Sequence, residues 1–476
     1  MEQLELKICK YIKSQPEIKI VQNKYNYEIV DAQTSEWYGT VDFFENGSIS
    51  SLDLELWMLG EDCEPVERSE ETSTQIDGMI GKAEQFIKDF VPKKVEFSML
   101  VEWDESDYMI IYEENDDKLN LPIPHTGCTI YMNANGEIKS ANIGIPSYTL
   151  TYPQVTVKKE EAKELLRNEQ LIQLHLQVED DGQVELIYRA TPEITGVKVD
   201  GEVDNVYEFM GVNELRMHTI APVTPEKSVE QLLGLYENLI RYKDDGESQL
   251  WVETDHLNTK QEDTELEPVV SIVNNETGHF SSSSSPWVKQ ENKLSINQLQ
   301  EQALQYLEQV VGTIHEKYLL EEPTIIEEEI DEQLEELYVE GDNATPNLYE
   351  PTQMFTFIRQ HRGMKIEGFN AYIHVGIYSG LIRECSTSFI NETRLQSMDL
   401  TPKLSIVEAQ KLYFKEMDLK LAWSIKEFDE PSIYDLAYLI NFPGENGAIA
   451  TINAHTGKIT YIDTGILREK NDRSPL

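Results

Sequence analysis

The sequence predicts an α+β fold made of tandem repeated units, each a helix packed on an antiparallel β-sheet. Three observations carry this expectation. Gly39–Ser51 aligns without a gap on Cys128–Ser140, placing Asn46-Gly47 over Asn135-Gly136 and Ile49 over Ile138. Val273–Gly278 aligns in the same way on Ile452–Gly457. Gly136 and Gly380, Glu161 and Glu408, Leu186 and Leu436, and Gly201 and Gly457 are separated by 244, 247, 250 and 256 residues. Collinear landmarks with slowly growing offsets are what duplication and small loop insertions leave behind, and such a repeat governs the whole architecture.

Six units follow, with helices expected near Leu4, Thr74, Thr156, Thr224, Ser295 and Ser405. Five of these six starts are Ser or Thr, whose side-chain oxygens accept from the free amides of a helix start. The third unit is the clearest. Ala162, Leu165 and Leu166 form an apolar stripe behind Thr156 and Glu160-Glu161, close to a capping box. Ile172, Leu174, Leu176 and Val178 then alternate with Gln173, His175 and Gln177, the pattern of a half-buried strand. Glu179–Gly182 turns the chain into Val184–Tyr188, and a last hairpin turns at Asp200-Gly201. The sixth unit has the same order: a helix over Leu404–Leu412, strands at Leu419–Trp423 and Tyr434–Tyr438, and a hairpin at Gly457. In the fourth, Leu232, Leu235, Tyr236 and Leu239 keep helical spacing before a strand at Leu250–Val252.

The division expected is an N-terminal helix-plus-sheet unit over 1–65, a first repeat pair over 66–215, a middle unit with a Ser-rich linker over 216–292, and a second repeat pair over 293–476. Ser281–Pro286 has no apolar side chain with which to build a core and reads as a linker or exposed loop. An acidic insertion over 321–345 interrupts the last pair, and no Lys or Arg occurs from Tyr318 to Ile358. Within it Ile326, Ile330, Leu334 and Tyr338 recur every four residues, the spacing of an acidic amphipathic helix.

A chain of 476 residues exceeds one ordinary core, so two or more packing units are expected. Its 87 acidic and 40 basic residues leave a net charge of −47, a field that repels nucleic-acid phosphates and anionic membrane surfaces. A basic protein partner suits it better. Cys9, Cys63, Cys128 and Cys385 lie far apart without ligand-like spacing, so free, buried thiols are expected rather than a disulfide framework. The N-terminus shows no basic start followed by an apolar run, and no segment reaches the roughly 20 apolar residues of a membrane span. A cytoplasmic chain with no membrane insertion is the expectation.

The helix-then-strands order, the hairpins through Gly136 and Gly457, and the helix openings Glu161-Ala162 and Glu408-Ala409 resemble the YcdB/YcdC-type repeat of spore-forming bacilli, which is itself similar to PepSY domains. The resemblance covers about 72–210 and 295–463. It implies a cystatin-like sheet wrapped on a helix and, by analogy with PepSY domains of peptidase propeptides, a role in binding or restraining a partner such as a peptidase. Its motifs are scaffold motifs, and fold-level analogy sets only a prior on function.

Chemistry-bearing patterns are sparse. The sequence contains no Gly-x-Ser-x-Gly, no His-Glu-x-x-His and no glycine-rich phosphate loop. His125 and Cys128 sit three apart, as a base and a thiol could, but in an extended segment they point to opposite faces, and a structural Cys is the default. Asp116-Asp117, Asp180-Asp181 and Asp244-Asp245 fall in or before turns, where Asp bonds its own backbone, and none has the spacing of a calcium loop. No catalytic, cofactor-binding or metal-binding residue is assigned. The candidate partner-binding residues are the acidic Glu327, Glu328, Glu329, Asp331 and Glu335, and the basic island Arg359, His361 and Arg362 that follows them. The plainer reading of both groups is a wet helix face and an ordinary strand end.

The function expected is non-catalytic binding or regulation, as a PepSY-like inhibitor or partner of a peptidase. The alternatives are a structural or assembly protein of the spore or envelope, and an enzyme with an unrecognised site. A sheet face with exposed aromatics would favour binding; a deep pocket with perturbed titratable groups would favour an enzyme.

Overall fold

Strand-forming alternation runs through most of this chain, and the computed structural model is accordingly a mixed α and β structure in which antiparallel sheets dominate. It describes residues 1–13, 15–23, 26–54, 71–104, 107–144, 147–169, 171–179, 182–212, 216–254, 267–287, 292–324, 350–444 and 447–470, the side chains of 71–74 excepted. Three apolar cores hold it together.

The first core lies between helices and a nine-stranded sheet. Helix α1 (Glu2–Ile8) precedes β1 (Ile18–Gln22), β2 (Tyr27–Asp31), β3 (Trp37–Phe43) and β4 (Ile49–Leu54). Helix α2 (Glu71–Phe90) precedes β5 (Glu96–Asp104), β6 (Asp107–Asn115), β7 (Pro122–Asn133) and β8 (Ile138–Ile143). The sheet runs β1-β2-β3-β4-β8-β7-β6-β5 and closes on the C-terminal strand Ile466–Glu469, so stretches that the sequence assigned to separate units share one ladder. Met79, Ala83 and Phe86 recur along one face of α2 and are buried in the same core as Ile110, Ile130 and Leu52. The aligned glycines make the same turn: the Gly47 amide donates to Phe44 and the Gly136 amide to Asn133, each glycine in the left-handed region.

The third core lies inside a ten-stranded sheet over 217–388. Its strands are β14 (Met217–Thr219), β15 (Leu239–Asp244), β16 (Ser248–Glu253), β17 (Val270–Asn274), β18 (Gly278–Ser283), β19 (Tyr318–Glu321), β20 (Thr352–His361), β21 (Met364–Lys365), β22 (Ala371–Gly376) and β23 (Ile382–Ser388). The main path is β14-β19-β20-β22-β23-β18-β17-β16-β15, with β21 folded back on β20. A helix over Ile296–Val311, capped by Ser295 as expected, buries Leu299, Ala303, Tyr306 and Leu307 against the inner face.

Ser281–Pro286 is not a linker or exposed loop along its length: Ser281–Ser283 end β18, paired with both β17 and β23, and Ser281, Ser283 and Ser285 are buried. Ser283 Oγ donates to Leu233 O at 2.6 Å and Tyr306 donates to Ser281 Oγ at 2.6 Å, so a buried polar face is satisfied without apolar side chains. The helix expected from Thr224 is a single turn, Val229–Leu232, capped by Ser228; Gly234, at φ +72°, ends it, and a Cβ there would meet Leu381 at 2.6 Å. Gly278 and Gly457, aligned in the sequence, play different parts. Gly457 turns at φ +71°, whereas Gly278 opens β18 where a Cβ would sit 2.2 Å from Thr387 O.

The second core, at the centre, draws on both halves of the chain. From the first half come β9 (Thr149–Leu150), α3 (Lys159–Asn168), β10 (Ile172–Val178), β11 (Val184–Ala190), β12 (Ile194–Lys198) and β13 (Val203–Asn205). Thr156 does not cap α3; its amide and hydroxyl donate to Val199 O, and Glu161 instead accepts from the Lys158 amide at 2.8 Å. From the second half come a helix over Ile406–Glu416, capped by the reciprocal Ser405–Glu408 pair, and β24 (Asp418–Ile425), β25 (Ile433–Asn441), β26 (Ala448–Asn453) and β27 (Ile459–Ile462). These build two sheets, β10-β11-β26-β27 and β13-β12-β25-β24, the latter with β9 beside β25. Ile123 of β7 and Ile366 of the β21–β22 connection are both buried in this core, which is how the flanking sheets are fastened to it.

Candidate functional site

Glu327, Glu328, Glu329, Asp331 and Glu335 lie outside the described residues. Arg359 is no surface cation: it is 2% exposed on the inner face of β20, against the Tyr318 ring. Its Nη1 donates to Lys317 O at 3.0 Å and its Nη2 to Glu392. His361, two residues further along the strand, is half-buried, with Nε2 unpaired in the structure. Burial, then the guanidiniums of Arg362 and Arg359, hold its imidazole below the usual histidine pKa. Arg362 is exposed at φ +48°, and with Gly363 at φ +84° it makes the two-residue turn between β20 and β21. Of the expected basic island, Arg362 alone presents an exposed charge.

The outer face of the ten-stranded sheet offers more. Phe280 on β18, Tyr372 on β22 and Met354 on β20 are 41%, 40% and 43% exposed, whereas their strand neighbours Ser281, Ile373 and Phe355 point into the core and are buried. Ser386 on β23 pairs with both Phe280 and Tyr372, so a small residue separates two aromatic rings about 10 Å apart at ordinary strand spacing. Tyr372 in turn pairs with Thr356, two residues from Met354. The neighbouring cross-strand row carries Ser282, Glu384, His374 and Met354. The face thus carries three exposed apolar side chains interleaved with hydroxyls, a carboxylate and an imidazole. Sequence reasoning passed over it, though Met354-Phe355 and Ala371-Tyr372-Ile373 place apolar residues on both faces of their strands, the signal that could have found it.

Beneath this sheet the polar groups are spent on structure. His279, 5% exposed, lies with Nε2 3.1 Å from the Tyr306 hydroxyl, which donates to Ser281 Oγ. Burial pushes the His279 imidazole down to about 4, so it is neutral at pH 7. The buried Glu350 carboxylate accepts from the Tyr378 and Ser379 amides at 2.9 and 2.6 Å and from Arg383 Nε at 2.8 Å. Arg383 Nη1 reaches Ser285 O at 2.7 Å, fixing the serine-rich segment. The His125–Cys128 pair does not form: His125 is exposed, and burial raises the Cys128 thiol to about 12, far from a thiolate. Asp116 caps its own turn, accepting from the Lys118, Leu119 and Leu121 amides, and takes a bond from Trp423 Nε1 at 3.2 Å.

Among the described residues, no group of three or more His, Cys, Asp and Glu is placed to hold a metal, and no helix is long and apolar enough to cross a membrane. Two clefts among the described residues are half open to solvent. One, of about 290 Å³, is lined by Lys10, Lys13, Lys82, Gln85 and Gly136–Ile138; the other, of about 210 Å³, runs beside His279 and Gln309.

No family model matches the chain, and no curated protein matches it. Among solved structures it is similar to the Bacillus megaterium YpeB C-terminal domain, at 15% identity over 39% of this chain and 84% of that one, with a TM-score of 0.26. A likeness this slight places no residue of the site.

Proposed function

We propose that this chain is a non-catalytic binding or regulatory protein that docks a protein partner on the outer face of its ten-stranded sheet. The observation that supports this is the exposure of Phe280, Tyr372 and Met354 on two adjacent rows of one sheet face. An antiparallel sheet with one wet face ordinarily alternates apolar-in and polar-out. Three large apolar side chains left about two-fifths exposed forgo roughly 1 kcal/mol each, which burial against a partner recovers. A net charge of −47 favours a basic surface as that partner. A peptidase is the partner class that the PepSY resemblance implies. The same proposal takes the scaffold as tandem helix-on-sheet units, an organisation supported by the matching turns at Gly47 and Gly136 and by the helix openings at Glu161 and Glu408.

The test replaces Phe280, Met354 and Tyr372 together by Ser. Outward-facing substitutions should leave the melting temperature within a few degrees of the parent. Both proteins, immobilised, are exposed to a lysate of a spore-forming bacillus at low and high salt, and the captured proteins are identified by mass spectrometry. A protein held by the parent and lost by the variant supports the reading; its purified form is then assayed for peptidase activity with and without the chain. Identical capture by the two proteins would sink the docking face.

A further inference from the structure

The central core is built reciprocally. The hairpin β12–β13 does not complete the sheet of β10 and β11; it adds to β25, with Gly196 opposite Leu439 and Val197 opposite Tyr438. The hairpin β26–β27 adds to β11 in return, with Ile187 opposite Asn453 and Tyr188 opposite Ile452. Each half of the chain thus supplies two strands and receives a hairpin from the other.

Detailed contacts repeat in both directions. Tyr188 donates its hydroxyl to Leu404 O at 2.7 Å, just before the Ser405 cap, and Tyr438 donates to Val157 O at 3.3 Å, just before α3. At the hairpin turns, the Ala454 amide donates to Leu186 O at 2.8 Å and the Val199 amide to Leu436 O at 3.3 Å. The fastenings to the flanking sheets also come in pairs. β10 meets the β21–β22 connection, where the Glu367 amide donates to Leu176 O at 2.9 Å, and β24 lies against β7, where Trp423 bonds Asp116. Lys163 of α3 is 3.0 Å from Asp418 of β24, a further tie between the halves.

We infer that residues 1–212 and 216–476 are each other's binding partners: the central core is a hairpin-exchanged protein–protein interface closed within one polypeptide, and it holds without the covalent link. Two features make it an interface rather than a seam of incidental contact. Its ladders satisfy backbone groups that would otherwise be edges, and Gly196 is specific to it. A Cβ at Gly196 would lie 2.3 Å from Tyr438 O, so this position accepts only glycine because the other half's backbone passes there.

The experiment uses the full chain with a protease recognition sequence inserted after Val212, where Met210 and Val212 are exposed. The folded protein is cut and run by size exclusion at micromolar concentration. The same is done on a chain ending at Asp463, which lacks the strand Ile466–Glu469 and so removes the ladder that joins the halves through the nine-stranded sheet. The cut protein should elute as one particle in both forms and separate only in denaturant. Gly196→Val should lower the urea concentration at which the cut halves part. If that variant fails to fold uncut, the double substitution Tyr188→Phe, Tyr438→Phe, which removes one reciprocal bond in each direction, should lower it instead. Separation of the cut, shortened chain in native buffer overturns the inference, as does a cut Gly196→Val chain, or failing that a cut double variant, that parts at the parent's urea concentration.

Discussion

Acidification should open the third core through one residue, His279. Its ring is 5% exposed, and its Nε2 faces a tyrosine whose proton is committed to Ser281. The neutral Nε2–H form completes that chain, and a second proton would place a charge in an apolar core. The folded pKa is about 4, below the ordinary value of about 6.5. Because the folded value is the lower one, the unfolded chain binds more protons between these limits. The stabilisation is complete above pH 6.5, declines as pH falls, and stops changing below pH 4. The full span is worth about 3 kcal/mol, of which about 2 kcal/mol is lost by pH 5.

The informative variant is His279→Gln, whose amide keeps a donor for Tyr306 and does not titrate. Hydrogen exchange of the β18 amides, followed at pH 7.5 and 5.0 and corrected for intrinsic rates, reads the opening free energy of this core. Carboxylates titrate alike in both proteins and cancel. The parent should lose about 2 kcal/mol more than the variant between the two pH values. An equal loss, or a His279 imidazole that titrates near its ordinary value, would refute the reasoning.

Three further outcomes are expected. Arg383→Met leaves the fully buried Glu350 side chain without its cation and should cost about 3–5 kcal/mol in urea unfolding, while adding Glu350→Gln should restore part of it. Burial alone would raise the Asp418 pKa, but bonds from Lys159 and Lys163 outweigh it and bring it down to about 2; its contribution is therefore present above the ordinary carboxylate pKa and lost as pH falls toward 2. Asp418→Asn should flatten that part of the acid-unfolding curve. Cys128 and Cys385, buried with thiols raised by desolvation, should resist a thiol-exchange reagent in the native chain and react on unfolding; labelling of both at the unfolded rate would contradict their burial.

Local physics was legible in the sequence. The strands Ile172–Val178 and Val184–Ala190, the turn at Gly136 and the helix caps at Ser295 and Ser405 all follow from period-two alternation, left-handed glycine and side-chain oxygens at helix starts. These depend on residues a few positions apart, and the sequence states that spacing directly. The serine strand was misread because its burial rests on partners at Leu233 and Tyr306, about 50 and 25 residues away. Arg359 read as a surface charge because Lys317 O and Glu392, which hold it inside, are remote in the chain. Which hairpin joins which sheet lay beyond sequence reasoning for the same cause. β11 presents an equally good edge to β12 or to β26, since backbone hydrogen bonding carries no address. Contacts across 216 and 281 residues, the Tyr188 hydroxyl with Leu404 O and the Tyr438 hydroxyl with Val157 O, favour that choice, and they meet only once the tertiary structure has formed.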